Sequence, residues 1–233
     1  PVAGSIPHLR SSSCLWLPRD VVSGDFLWHY ATDTHLFVAV ADCTGHGVPG
    51  ALMSMLGHNL LNQMVVERKL RDPGKVLAAM DRALVDLFSK YAGDERMNDG
   101  LDVGFITLER ASLKLAFAGA LIRCHVIRDG VLEQLECSRW PLGGHVWHQH
   151  KTFEVHEQQL RTGDRLVMHS DGYQSQFGGP KDRKINGRHL RELLARSSTR
   201  PPLDAVQFLH QEFMSWKGNN DQVDDVLVVI MDV

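Results

Sequence analysis

Short strand-like segments follow one another through the middle of this 233-residue chain, and their spacing constrains the fold more than any other feature. Runs of apolar and β-branched residues predict strands over residues 101–108, 113–118, 124–128, 131–135 and 152–158. Their short connections imply antiparallel pairing, because a parallel pair needs a longer crossover. Arg128-Asp129-Gly130 is typical of a tight hairpin turn. The middle of the chain therefore predicts antiparallel sheet.

Helical and strand patterns flank this region. Apolar runs predict further strands over residues 35–41, 165–169 and 226–233. The segment 45–50 (GHGVPG) opens a predicted helix with apolar residues at helical spacing, and Asp72-Pro73 begins a second helix that should pack against the first. Two more helices are predicted near residues 188–196 and 203–216, and an exposed flap over residues 177–186.

Aspartates stand at the ends of several of these strands and turns. They lie in the segments Ser23-Gly24-Asp25, Ala41-Asp42-Cys43, Ser170-Asp171-Gly172 and Asp224-Asp225. Aspartate is short, ionised at neutral pH and only accepts hydrogen bonds, so several of them converging on one point repel each other unless a cation neutralises them. Hard divalent ions such as Mg²⁺ or Mn²⁺ prefer such oxygen ligands. The pattern therefore predicts a catalytic metal site.

Composition narrows the function classes. Hydrophobic residues make up 43% of the chain and charged residues 23%, as in a globular protein, and a formal charge of −3 gives no general attraction to nucleic acid. The four cysteines form no CxxC pair, so we expect no zinc site and a reducing, cytoplasmic compartment. No apolar run approaches the roughly 18 residues of a membrane-spanning helix.

The chain is interpreted as one domain over residues 22–233, with residues 1–21 as a lead-in. It begins at Pro1 rather than Met. We therefore expect a piece of a longer protein whose upstream part is a sensor or a membrane region. On that interpretation the present chain is the cytoplasmic domain, and the anchoring to a membrane would come from the upstream part.

Two other clusters have both a structural and a functional interpretation. His145, His148, His150 and His156 could hold a transition metal, but no HExxH motif or carboxylate-rich spacing accompanies them, which favours solvated loop histidines. The basic segment 181–184 (KDRK) is typical of a solvated flap, and the alternative is that it holds an acidic partner or a phosphopeptide.

Six segments, in this order along the chain, carry a family resemblance. They are residues 22–26 (VSGDF), 41–52 (ADCTGHGVPGAL), 141–143 (PLG), 160–164 (LRTGD), 170–172 (SDG) and 224–226 (DDV). In content and order they resemble the motifs of bacterial metal-dependent serine/threonine phosphatases of the SpoIIE/RsbU branch, within the PPM or protein phosphatase 2C-like superfamily. The resemblance extends from about Ser23 to Val233, which is nearly the whole chain.

The resemblance implies an α+β fold, a PPM-type α-β-β-α sandwich in which two central antiparallel sheets are flanked by helices. It also implies two Mn²⁺ or Mg²⁺ ions and a protein serine/threonine phosphatase that uses a water activated by the two metals. The implied substrate is a phosphorylated antagonist-type, STAS-like protein of a partner-switching pathway. Homodimerisation and control by an upstream sensor are further expectations from the family.

The resemblance also assigns roles to individual residues. Asp42 resembles the aspartate that bridges the two metals, and Cys43 offers its carbonyl where a glycine carbonyl often contributes. Asp171 resembles a further ligand, and Asp42 and Asp171 are the expected catalytic pair. Either Asp224 or Asp225 resembles the remaining ligand, and the choice between these neighbours stays open.

Asp25 resembles the acidic residue that supports the metal waters from the opposite side. Three positions depart from the family pattern. Leu121 stands where an asparagine is frequent, Leu227 stands where a threonine is common, and His46 is placed differently from the histidine assigned as an acid in animal relatives. The role of His46 therefore stays open between proton transfer and positioning of the loop.

Two other function classes remain as alternatives to the phosphatase. A binding module that keeps the fold without catalysis would not be expected to retain the metal aspartates. A different metallohydrolase, such as a nuclease or phosphodiesterase, should show more histidine ligands and a basic groove, and neither is seen in the sequence.

Overall fold

Two antiparallel sheets form the centre of the computed structural model, which describes residues 6–91, 99–144 and 151–233. The first sheet has the strand order β1-β13-β10-β6-β7. Its strands are β1 (Ser11–Leu17), β6 (Cys124–Arg128), β7 (Val131–Leu135), β10 (Arg165–His169) and β13 (Val226–Asp232). Every adjacent pair in this sheet is antiparallel.

The second sheet has the order β2-β3-β4-β5-β9, and the short strand β8 pairs with the start of β4. Its strands are β2 (Phe26–Ala31), β3 (His35–Cys43), β4 (Gly100–Glu109), β5 (Lys114–Ala120), β8 (Leu142–Gly143) and β9 (His156–Gln159). The central strands β3 and β4 are apolar along nearly their whole length because both of their faces are buried.

Helices cover the outer face of each sheet. α1 (Gly47–Leu61), which continues as a π-helical stretch over Asn62–Glu67, and α2 (Pro73–Tyr91) share a buried cluster with β2 to β5. α4 (Asn186–Ser197) and α5 (Pro202–Lys217) share another with the first sheet. A third buried cluster lies between the sheets and contains residues such as Leu36, Leu166 and Val229. The α-β-β-α sandwich and its antiparallel sheets, expected from the family resemblance, are thus confirmed.

Several boundaries differ from the expectation. The strand predicted over residues 35–41 continues to Cys43, so Asp42 lies inside β3 rather than after it. The strand predicted over residues 152–158 is the shorter β9. The predicted flap holds a small hairpin of β11 (Phe177–Gly178) and β12 (Arg183–Lys184), and α3 (Gly172–Ser175) precedes it.

The segment interpreted as a lead-in contains a strand that sequence reasoning did not predict. β1 pairs along its whole length with β13, from Ser11 opposite Asp232 to Leu17 opposite Val226. This first part of the chain is therefore hydrogen-bonded into the first sheet. Among the described residues, no helix combines the length and the apolar character needed to cross a bilayer. His145, His148 and His150 of the predicted cluster lie outside the described residues, and His156 begins β9.

Candidate metal centre

Three of the predicted aspartates come together where the two sheets end. Asp42 comes from β3 of the second sheet, Asp171 stands two residues after the end of β10, and Asp224 stands two residues before the start of β13 in the first sheet. They line a cavity of about 310 Å³. The complete lining is Asp42, Cys43, Thr44, Gly45, His46, Asp102, Asp171 and Asp224. The strands of both sheets therefore deliver carboxylates to one place.

Glycines in the predicted motifs permit the close backbone approaches that shape this cavity. A Cβ on Gly172 would lie 1.9 Å from the carbonyl oxygen of Asp225, and one on Gly50 would lie 2.4 Å from that of Gly45. Neither distance is possible for a real side chain, so any other residue would push these loops apart. The first contact holds the Asp171 turn against the Asp224-Asp225 segment, and the second holds the start of α1 against the loop after Asp42.

Asp225 occupies a different environment from its neighbour Asp224. The Asp225 side chain is buried, and both of its oxygens accept hydrogen bonds from the backbone, from the Arg19 N–H at 2.7 Å and from the Gly24 N–H at 2.8 Å. Asp224 lines the cavity instead, with one carboxylate oxygen accepting the Asp225 N–H at 2.9 Å. Of the two candidates, Asp224 therefore has its carboxylate at the cavity.

Asp25 is buried behind the cavity and is not part of its lining. The Ser170 hydroxyl donates to Asp25 Oδ2 at 2.5 Å, and this hydroxyl belongs to the residue just before Asp171. Burial raises the pKa of Asp25 well above its usual range, and the negative charge of Asp42 raises it further. Asp25 is thus connected to the cavity through Ser170 and through the charge of Asp42.

Asp102 is a member of the site that sequence reasoning missed. It lies directly opposite Asp42 in the pairing of β3 with β4 and lines the same cavity. Burial and the charge of Asp171 raise the pKa of Asp102 to about 7. The available signal was a carboxylate among the mostly apolar residues of a strand, which is costly when it is buried without a partner or a cation.

The carboxylates of this cavity destabilise one another's charged forms. Burial raises the pKa of Asp42 to about 8, and the charges of Asp171, Asp102 and Asp224 contribute to the rise. Burial also raises the pKa of Asp224. His46 acts in the opposite direction and favours ionisation of Asp224, and its Nδ1 lies 2.7 Å from Asp20 Oδ2. A bound cation would stabilise the ionised forms of all these groups.

The types of donor atom at the cavity suit hard divalent ions. In the described parts of the chain, no group of three or more His, Cys, Asp or Glu side chains is arranged so that it could hold a metal ion by itself. Mg²⁺ commonly takes only one or two protein carboxylates and keeps several waters, so a closed cage of side chains is not required. The cavity offers carboxylates and the backbone at Cys43 and contains no thiolate pair, which suits Mg²⁺ or Mn²⁺ better than Zn²⁺.

Metal-free protein should lose stability as the pH rises from 6.5 to 8.5. Asp42 and Asp102 release protons from the folded state near pH 8 and pH 7, whereas in the unfolded chain they are already ionised above pH ~4. The folded state therefore holds more protons at pH 6.5, and the free energy of unfolding should fall by at least about 1 kcal/mol across this window. Urea unfolding in EDTA at both pH values measures the change.

Two buried histidines are the reason that the measurement begins at pH 6.5. Burial lowers the pKa of His125 and His169, so their effect on stability has the opposite sign and acts mainly below pH ~6.5. The free energy of unfolding of Asp42→Asn should fall less between pH 6.5 and 8.5 than that of the wild type. A wild-type free energy of unfolding that rises over the window would contradict the carboxylate repulsion.

Comparisons with known proteins agree with this geometry. The family model of Stage II sporulation protein E (SpoIIE) matches residues 32–233. The phosphoserine phosphatase RsbP of Bacillus subtilis (strain 168) is 22% identical over 215 residues, which cover 91% of this chain and 49% of RsbP. The chain thus spans about half the length of this relative.

Solved structures show the same architecture. The SiaA-PP2C domain of Pseudomonas aeruginosa has a TM-score of 0.86 at 27% identity, and the match covers 95% of this chain and 85% of that one. The PP2C phosphatase domain of SpoIIE from Bacillus subtilis was solved with a fragment of its regulatory domain. It has a TM-score of 0.76 at 20% identity, and the match covers 95% of this chain and 61% of that one.

Two antiparallel sheets between helices, with an acidic cavity where the sheets end, define the fold class of the PPM phosphatases. Within that class the family-model match covers both the Asp42 loop and the final Asp224-Asp225 segment. The chain belongs to the SpoIIE family, in the SpoIIE/RsbU branch of the PPM phosphatases.

Proposed function

We propose that this chain is a Mg²⁺- or Mn²⁺-dependent protein serine/threonine phosphatase, which hydrolyses phosphoserine or phosphothreonine on a partner protein. The observation that carries the proposal is the cavity in which Asp42, Asp171 and Asp224 meet at the ends of the two sheets. Carboxylates that raise one another's pKa in this way are a functional arrangement rather than a stabilising one. Phosphoserine phosphatase activity in the relative RsbP supports the same reaction class.

Each residue has a role in the proposal. Asp42, Asp171 and Asp224 would hold the metal ions through their carboxylates, and Cys43 would contribute its backbone carbonyl. When bound, the two ions would supply a water of lowered pKa and positive charge for the phosphoryl oxygens.

The remaining predicted aspartates act on the site from outside the cavity lining. Asp25 orients Ser170, to which it is hydrogen-bonded, and the Asp171 turn that follows. Asp225 orients the Asp224 segment through the backbone amides of Arg19 and Gly24. Both were expected among the metal-site residues from the family resemblance, and in this proposal they position the ligands.

The substrate in this proposal is a phosphorylated, STAS-like antagonist of a partner-switching pathway. Support comes from membership of the SpoIIE family and from the exposed position of the cavity loop, in which Thr44, Gly45 and His46 face solvent. A folded protein surface can approach such an open site, whereas a small metabolite would be expected to use an enclosed pocket. Homodimerisation, a cytoplasmic location and control by an upstream sensor remain parts of the same proposal.

Removal of divalent metal should lower turnover of a phosphoserine peptide by at least about tenfold, because the activated water and the positive charge at the phosphoryl oxygens are lost with the ions. EDTA should suffice for the removal, because oxygen ligands hold Mg²⁺ and Mn²⁺ modestly. Protein stripped with EDTA is assayed for phosphate release before and after addition of Mn²⁺, Mg²⁺ or Zn²⁺. Mn²⁺ and Mg²⁺ should restore turnover, and Zn²⁺ should not restore it well. A cyclic dinucleotide and single-stranded DNA serve as control substrates and should not be cleaved. Full turnover in the stripped protein would contradict the metal-dependent mechanism.

A further inference from the structure

A second, smaller pocket adjoins the acidic cavity and shares Asp42, Asp102 and Asp171 with it. Its volume is about 60 Å³. The side chains on its other side are Arg123, His125, Gln134, His169, Gln174 and Arg191, and we call this the arginine pocket. It lies between the carboxylates and helix α4, and the six side chains just named have no role in the function proposed above.

The base of the arginine pocket is a pair of neutral histidines. His125 and His169 are stacked with ring centroids 5.4 Å apart, and their Nε2 atoms are 3.3 Å apart. His169 Nδ1 lies 2.8 Å from the Ser170 carbonyl oxygen, so Nδ1 carries the proton and Nε2 accepts one from His125. His125 Nδ1 is then an acceptor. It is buried and has no hydrogen-bond partner among the described residues.

Two arginines form the outer wall of the arginine pocket. Arg123 lies 3.2 Å from Glu136, and its side chain is about half exposed. Arg191 is exposed on α4 and forms no hydrogen bond or ion pair with the part of the chain that the structure describes. A Cβ on Gly187 would lie 3.0 Å from Gln174 Oε1 and 3.5 Å from Arg191 Nη1, so this glycine leaves room for both side chains.

The arginine pocket extends beyond the acidic cavity. Arg123 and Arg191 line the arginine pocket together with His125, and neither arginine is part of the lining of the acidic cavity. Burial lowers the pKa of His125 to about 3, and the charges of the two arginines contribute to the decrease. A group bound by the arginines would therefore lie beside the reacting phosphoryl group and would be distinct from it.

We propose that the arginine pocket is a specificity subsite that binds an acidic side chain of the phosphoprotein close in sequence to its phosphorylated residue. The inference rests on the proposed phosphatase function and deepens it. The Arg191 guanidinium, which has no ion-pair partner among the described residues, supplies the charge and hydrogen-bond donors that a carboxylate requires. The buried acceptor at His125 requires a donor, which a peptide N–H or a bridging water provides.

The test compares Arg191→Gln with the wild type on three substrates in Mn²⁺. These are a phosphoserine peptide flanked by Glu at several positions, the same peptide with Gln at those positions, and p-nitrophenyl phosphate. The wild type should prefer the Glu peptide, and Arg191→Gln should raise KM for that peptide by about tenfold, because one charge-assisted contact is lost. KM for the Gln peptide and for p-nitrophenyl phosphate should be unchanged.

Arg188→Gln is the matched control. Arg188 is on the same helix and equally charged, but it pairs with Glu192 and does not line the pocket. Its KM values should equal those of the wild type, and circular dichroism verifies the fold of both variants. If the two variants raise KM for the Glu peptide equally, the effect comes from the overall positive charge of the helix, and the subsite proposal is overturned. If Arg191→Gln raises KM for p-nitrophenyl phosphate as much as KM for the Glu peptide, Arg191 contacts the reacting phosphoryl group itself. That result would also overturn the subsite proposal.

A binding measurement separates failure of the subsite from failure of the phosphatase function. Fluorescence anisotropy reports binding of the labelled Glu peptide with Mn²⁺ present, whether or not phosphate is released. If the wild type releases no phosphate from any phosphopeptide, the proposed function fails, and weaker binding to Arg191→Gln still supports the subsite. If phosphate is released and the Glu and Gln peptides bind alike, the subsite fails and the phosphatase function stands.

Discussion

Asp42→Asn should lower kcat on a phosphoserine peptide by about a thousandfold, an effect of the size seen when a key electrostatic stabiliser is removed. The substitution keeps the shape of the side chain and removes its charge. Asp42 interacts electrostatically with Asp171, Asp102 and Asp224, so it lies at the centre of the carboxylate group. Loss of this charge would weaken binding of the metal ions that the proposed function requires. Phosphate release at saturating Mn²⁺ measures the effect.

Asp33→Asn is a suitable control for Asp42→Asn. Asp33 is exposed in the turn before β3, at the opposite end of the strand that carries Asp42, and the chemical change is the same. Its turnover should equal that of the wild type. Metal-free Asp42→Asn should also melt at or above the wild-type temperature, because repulsion among the carboxylates is reduced. Wild-type turnover in a folded Asp42→Asn protein would refute the assignment of this residue.

Asp225→Asn should destabilise the fold by about 2–3 kcal/mol, because a buried carboxylate that accepts two backbone hydrogen bonds is replaced by an amide. The amide has one acceptor oxygen, so its NH₂ group would face the N–H of Arg19 or of Gly24. One buried N–H would then lose its partner. Urea unfolding in EDTA, with the slope m compared between proteins, gives the change in free energy.

Asp224→Asn provides the matched comparison, since the two residues are neighbours with different surroundings. Asp224 lines the cavity, and its pKa is raised by burial, so the loss of its charge should leave stability unchanged or increase it in the absence of metal. Its turnover should fall sharply. The reverse pattern, with a stable Asp225→Asn protein and an unstable Asp224→Asn protein, would show that the two roles are exchanged.

The sequence predicted elements whose pattern is local. The apolar run of β3 and the helical spacing in α1 and α2 are visible within short windows, and each of these elements was found. β1 was missed because SSSCLWL has no regular alternation and gains its stability from β13, more than two hundred residues away in sequence. The end of β3 was misplaced because pairing with β4 extends through Asp42 to Cys43.

The candidate site was predictable to the extent that its residues stand in recognisable motifs. Asp102 stands in none, and only the register of β3 against β4 places it opposite Asp42. The choice between Asp224 and Asp225 depended on hydrogen bonds to residues 19 and 24, which no pattern within the final segment reveals. Leu121 has a backbone φ of +63°, a conformation that asparagine tolerates better than leucine, which gives a physical reason for the asparagine frequent in the family.

The pairing of β1 with β13 joins two strands that are more than two hundred residues apart in sequence, and it determines when the first sheet can close. β13 lies between β1 and β10, and both neighbours depend on it for their hydrogen bonds. During synthesis, β1 and β10 leave the ribosome long before their shared partner, and both then present open edges that can pair with other chains. A nascent chain that stops before Val226 therefore lacks β13, the strand that lies between β1 and β10. The acidic cavity acquires its final wall only after Asp224 and β13 have been synthesised.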